Sequence, residues 1–100
     1  MSERRGEVAA IFTTHGVLDA ATTVLAARAV GVSEEANPVV RELLAVGDGP
    51  TVLAILVAVA ACCAVWPTAA DAVDAPGWVG FAVALVGSLV AAINLVVIVG

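Results

Sequence analysis

His15 and Asp19 stand four residues apart in an otherwise apolar stretch, a spacing that puts an imidazole and a carboxylate on one face of a helix, one turn apart. Such a pair can share a hydrogen bond, pass a proton or hold a cation. Asp19 is the midpoint of the stretch Val8 to Val30, and at the centre of a bilayer a carboxylate costs about 2.5 to 3.5 kcal/mol on insertion scales. It therefore needs a partner, a proton or water. The first expectation is a local His15–Asp19 hydrogen bond, with Thr22, Thr23 and Ala26 continuing that side of the helix. A proton, ion or substrate path is the sharper reading, and polar glue between helices is the plainer one.

Depth matching offers further neighbours. If a second, antiparallel span is centred on Ala58, Cys62 falls at the depth of His15; in a third span Ser88 falls near Asp19, with Asn94 about six residues nearer the other face. His15, Asp19 and Cys62 are acceptable ligand types for a transition metal, but no ligand-spacing motif accompanies them, so no metal site and no cofactor is expected. The adjacent Cys62 and Cys63 point about 100° apart on a helix and form no disulfide framework. No Gly-rich phosphate loop or nucleophile elbow is present, and the single His has no Ser or Cys partner in a recognisable motif, so the expectation is that the chain is not an enzyme.

The elements that must position these groups are membrane helices. Apolar residues make up 62% of the composition and charged residues 13%, with a mean hydropathy of +1.10, which leaves too little polar surface for a soluble domain of this size. The basic residues are Arg4, Arg5, Arg28 and Arg41, against nine acids and a net charge of -5. Without a basic patch, nucleic acid is excluded as a partner. The Lys-free, Ala/Val/Asp-rich composition has a halophile-like or high-GC character. Arg4 and Arg5 resemble the start of a signal peptide, but Thr13, Thr14, His15 and Asp19 interrupt the apolar run that would follow, so the first segment is read as retained.

Three apolar runs, residues 8–30, 50–66 and 77–99, are long enough to cross a hydrocarbon core of about 30 Å, the middle one marginally at about 25 Å of helix. The fold class is thus all-α, an antiparallel three-span bundle forming a single membrane domain over residues 1–100. Between the first two spans, Asn37 followed by Pro38 reads as an N-cap and first helical residue. A short interfacial helix over residues 38–46 follows, stopped by Gly47 and the Asp48-Gly49-Pro50 turn. One long helix from Pro38 to Trp66, kinked at Gly47 to Pro50, is the alternative. Pro67 to Pro76 is a polar turn flanked by Trp66 and Trp78, as in an aromatic belt. Odd crossings place that turn and the N-terminal segment on one side and Glu34 to Asp48 on the other, while two Arg at each end leave the orientation undecided.

Stripes of small residues mark where transmembrane helices approach closely. The third span carries Gly80, Ala84, Gly87, Ala91 and Asn94 at spacings of 4, 3, 4 and 3; the second carries Ala54, Ala58 and Ala61, and the first Gly16, Ala20, Thr23 and Ala27. Three short helices bury little of themselves, so some of these faces are expected between subunits. Glu34 and Glu35 read on their own as a solvated acidic loop leading to the cap.

The ordered set Asp19-x-x-Thr22, Gly31, Glu35-Ala36-Asn37-Pro38, then Leu43-Leu44 before Gly49-Pro50 resembles a family of small prokaryotic and archaeal multi-span membrane proteins of uncharacterised function. The resemblance covers about Asp19 to Val65 and implies the fold and topology without assigning a chemistry. Members of that family often carry a Lys in the second span, whereas Thr51 to Val65 here has no basic residue, so an Asp-Lys pair across the two helices is not available. The resulting expectation is an integral protein of the cell membrane acting as a structural or assembly subunit. Its partners are the lipid bilayer and either its own copies, as a homo-oligomer, or other membrane subunits. The alternative is a small proton or cation transporter or channel using His15 and Asp19. Under either reading the candidate residues are His15, Asp19, Thr22 and Asn94 as the polar intramembrane site, Glu35, Asn37 and Pro38 as the loop motif, and Gly80, Ala84, Gly87 and Ala91 as the helix-packing face.

Overall fold

An uninterrupted helix, α1, runs over Arg5–Val30 in the computed structural model of the protein, which describes residues 4–100. It begins before the apolar run expected to span the membrane, and Glu7 in its first turn suits the positive end of the helix dipole. Its middle, Phe12–Leu18, is π-helical, and the Asp19 backbone N–H reaches back to Thr14 O. A local cause is visible: the Thr14 hydroxyl donates to Ala10 O at 2.8 Å and so competes for a carbonyl of the ladder where it widens. The helix stops at Gly31, whose φ of 102° and ψ of 147° are accessible only without a Cβ.

After a short 3-10 turn at Val32–Glu34, helix α2 covers Pro38–Val46. Asn37 caps it, its Oδ1 accepting from the Val39 and Val40 N–H groups at 2.9 and 3.3 Å, and Pro38 fills the position where no N–H is needed. The chain breaks at Gly47, so α2 is separate from helix α3, which covers Asp48–Ala72. Helix α3 is longer than the hydropathy suggests, because it continues through Pro67 into the stretch expected to be a turn. Proline inside a membrane helix removes one N–H and is tolerated where neighbouring groups can satisfy the freed carbonyl. The end of α3 is a Schellman motif: Ala75 N–H bonds Ala70 O at 2.9 Å and Asp74 N–H bonds Asp71 O at 3.1 Å. Asp74 takes the left-handed position at φ 52°. Helix α4 covers Gly77–Val99.

The fold is all-α, and α1, α3 and α4 are each long and apolar enough to cross a membrane. Helix α1 is the centre: α4 packs along its length on one side, α3 packs on another, and α3 and α4 hardly touch each other. Two apolar clusters lie at opposite ends of α1. One joins Ile11, Cys63 and Ala84, with Val8, Phe12, Val59 and Trp66 around them. The other joins Val24 and Ala27 to Leu44 of α2, with Val40 and Val52, and explains why the amphipathic α2 folds back onto the bundle. Each end is also tied by an arginine. Arg4 bonds Asp71 at 2.7 Å and Ala75 O at 2.7 Å, joining the start of α1 to the α3–α4 turn, while Arg28 pairs with Asp48 at the far end.

These ties put the start of α1 and the α3–α4 turn at one end and the α1–α2 loop at the other. With Cys62 and Cys63 replaced by Ser, Ser33→Cys and Val73→Cys should react with a membrane-impermeant thiol reagent from opposite faces of sealed vesicles. Labelling of both from the same face would overturn the three crossings.

Candidate functional site

The stripe of small residues on α4 determines how closely it can approach α1. Gly80, Ala84, Gly87 and Ala91 are all buried, and all lie against α1 of the same chain. A Cβ on Gly87 would sit 2.8 Å from both Thr14 Oγ1 and His15 Cδ2, and one on Gly80 would sit 2.6 Å from Glu7 Cβ. The two glycines therefore hold open the space that polar side chains of α1 occupy. Seven residues beyond Gly87, Asn94 reaches Thr22 across an offset of 72 residues. That constant register along parallel helices brings Ala91, rather than Ser88, to the depth of Asp19. Ser88 bonds Ala84 O of its own helix instead.

His15 and Asp19 do not bond each other. His15 Nε2 lies 2.7 Å from Val83 O on α4, and because a carbonyl can only accept, Nε2 carries the proton. Asp19 Oδ1 instead accepts from Thr23 Oγ1 at 3.1 Å. The physical reason is the π-helical segment: it breaks the 3.6-residue periodicity that would stack His15 over Asp19, and the notch at Gly87 admits the imidazole to α4. A second network starts from Asn94, whose amide donates to Thr22 Oγ1 at 3.0 Å and more weakly to Thr23 Oγ1 at 3.4 Å. Thr22 passes its own hydrogen to Leu18 O at 2.7 Å. Thr22, Thr23, Asn94 and Asp19 thus form one connected group, with His15 bonded separately.

A cleft of about 240 Å³ opens beside His15 between α3 and α4, lined by Ile11, Val59, Cys62 and Val83. It brings Cys62 to the level of His15 but does not include Asp19. Among the described residues no three His, Cys, Asp or Glu side chains gather as a metal site. The loop motif organises its own helix. Glu35 Oε1 accepts from the Asn37 N–H at 3.1 Å, the Glu35 carbonyl accepts from Arg41 at 3.1 Å, and Asn37 and Pro38 start α2.

The polar centre not anticipated from the sequence is Glu7. Only 3% exposed, it receives Arg4 Nη1 on both oxygens at 3.0 and 3.2 Å and Trp66 Nε1–H at 3.1 Å. The hydrogen bond to Asp71 and the nearby Glu7 charge raise the Arg4 pKa above its ordinary value, so the guanidinium stays charged. Two sequence signals point here: the i, i+3 spacing of Arg4 and Glu7, and Gly80 standing seven residues before Gly87 on the packing face. Trp66 works here as a hydrogen-bond donor as well as an interfacial aromatic.

Gly80→Ala should destabilise the folded bundle by about 1 to 3 kcal/mol, the range for overpacking a close contact, whereas Leu85→Ala, on an exposed position of α4, should change little. Unfolding in bicelles checks the pair; equal stability of both variants would remove Gly80 from the α1–α4 contact.

No curated protein and no solved structure gives a significant match to this chain. The family model described as a domain of unknown function, DUF5658, matches residues 10–100, and the chain belongs to that family.

Proposed function

We propose that the protein is a structural or assembly subunit of the cell membrane, an integral multi-span module without enzymatic activity that associates with its own copies or with other membrane subunits. The observation that carries this reading is where the intramembrane polar groups are directed. His15 bonds the α4 backbone, Asp19 bonds Thr23, and Asn94 bonds both threonines. Among the described residues no buried side-chain nitrogen or oxygen lacks a partner. The His15 and Asn94 bonds join α1 to α4, and the Asp19–Thr23 bond satisfies the carboxylate within α1. The second support is the outer surface of α3, where Val57, Ala58, Ala61 and Val65 are exposed and present a smooth apolar face to lipid or to another subunit.

The alternative, a small proton or cation transporter using Asp19 and His15, draws on the π-helical segment that carries His15, since such segments recur at functional sites. Against it, the pair is split between two networks, and among the described residues no further acid or base hydrogen-bonds to either.

The two readings part at Asp19. As a structural group, Asp19→Asn should keep the fold, because an amide oxygen still accepts from Thr23, while Asp19→Leu should weaken it by stranding that hydroxyl. Ion flux in reconstituted vesicles, measured beside helicity and thermal stability, decides: robust wild-type flux that vanishes in a well-folded Asp19→Asn defeats the structural reading. For the assembly role, Ala58→Leu and Ala61→Leu should reduce cross-linked oligomers in native-like membranes while leaving the monomer fold intact. An unchanged oligomer pattern in both would rule out α3 as the contact.

A further inference from the structure

The four arginines differ in how they are partnered. Arg4 pairs with Glu7 and Asp71, Arg28 with Asp48, and Arg41 donates to Glu35 O. Arg5 is exposed and makes no hydrogen bond or ion pair among the described residues. It stands at the rim of a groove of about 820 Å³ between α1 and α3 whose other lining residues are Gly6, Val8, Ala9, Phe12, Cys63 and Pro67. Every other side chain there is small or apolar, so the groove joins a cation with no partner among the described residues to an uninterrupted hydrocarbon wall. From Arg5 to Phe12 that wall rises about 10 Å, at about 1.5 Å per residue.

We propose that this groove is a binding site for an anionic phospholipid, with the headgroup phosphate on Arg5 and an acyl chain laid between α1 and α3. The chemistry on both sides is complementary. A guanidinium offers a planar fork of donors that suits phosphate oxygens, and a cation at the membrane surface favours anionic headgroups. Arg5 lies at the end of the bundle where Arg4, Asp71 and the α3–α4 turn meet, the level at which a headgroup sits when its chain lies along Val8, Ala9 and Phe12. The protein carries a net charge of -5, so a general attraction for anionic lipid is absent and any preference has to come from a local cation such as this one. A second copy of the chain is the competing occupant. The apolar wall would suit it equally, but the exposed guanidinium at the rim favours phosphate. This inference is independent of the assembly role, since a bound lipid could accompany either functional reading.

The test is lipid retention by native mass spectrometry after reconstitution in mixed phosphatidylglycerol and phosphatidylcholine, with helicity and oligomer state recorded on each sample. Wild type should retain phosphatidylglycerol preferentially. Arg5→Gln should lower that preference about fivefold, the equivalent of about one interfacial arginine contact, with no change in fold because the side chain is exposed. Ala9→Trp should fill the groove and release both lipids while Arg5 is intact. Equal retention of the two lipids by wild type would overturn the proposal, as would Arg5→Gln binding phosphatidylglycerol like wild type. Cross-linking of an Ala9→Cys variant to a second copy, with no lipid retained, would assign the groove to self-association and overturn it as well. Should Ala9→Trp fail to fold, Arg5→Gln by itself decides.

Discussion

The close approach of α4 to α1 is the contact on which the rest of the structure depends. In a bilayer the apolar side chains gain little by leaving lipid for protein, so helices associate through van der Waals fit and hydrogen bonds at short backbone separation. Gly80 and Gly87 provide that separation at the two places where α1 presents bulky polar groups, Glu7 and the Thr14–His15 pair. Once the register is set there, Asn94 meets Thr22 and Thr23 further along. A one-residue slip would place a Cβ-bearing residue against each polar side chain, so the glycines specify register as well as distance.

Helix α1 consequently carries nearly all the polar chemistry and occupies the centre, where α3 and α4 can satisfy it from different sides. Its two apolar clusters, around Ile11 and around Val24 and Ala27, flank a middle section of hydroxyls, imidazole and carboxylate. The arrangement leaves α3 and α4 nearly independent of each other, with large apolar side chains of both exposed to the surroundings. Arginine ties at the two ends compensate in part. Arg4 gathers Glu7, Asp71 and the Ala75 carbonyl, and Arg28 holds Asp48 at the first turn of α3. The Schellman turn after α3 presents that carbonyl, so a local backbone motif and a distant side chain act together.

The π-helical segment links backbone geometry to the polar groups. Widening the ladder between Phe12 and Leu18 turns His15 out of line with Asp19 and toward Val83 O. In a regular helix the two would share a face and compete for one proton. Here each has its own partner on a separate network, and the imidazole tautomer is fixed by a backbone carbonyl.

The sequence by itself determined the all-helical class and the three apolar runs long enough to cross a membrane. Three apolar runs, an Asn37–Pro38 cap and a Gly47 break are local signals, because hydropathy and capping depend on residues within a turn or two of one another. The small-residue rhythm from Gly80 to Asn94 likewise marks a contact face by spacing within one helix. Tertiary structure decided which helix that face meets, and with it the partners of every intramembrane polar group. The His15–Asp19 spacing favours a local bond only if the helix is regular, and a π-helical segment cannot be read from i, i+4 periodicity. Glu7 sits just outside the apolar run and reads as a solvated end residue until Arg4, Trp66 and Gly80 converge on it. Helix α3 continuing through Pro67 to Ala72 was hidden because local rules end a helix at a proline. For Glu7 the deciding groups, Trp66 and Gly80, are distant in sequence, and only the packing of the helices brings them together.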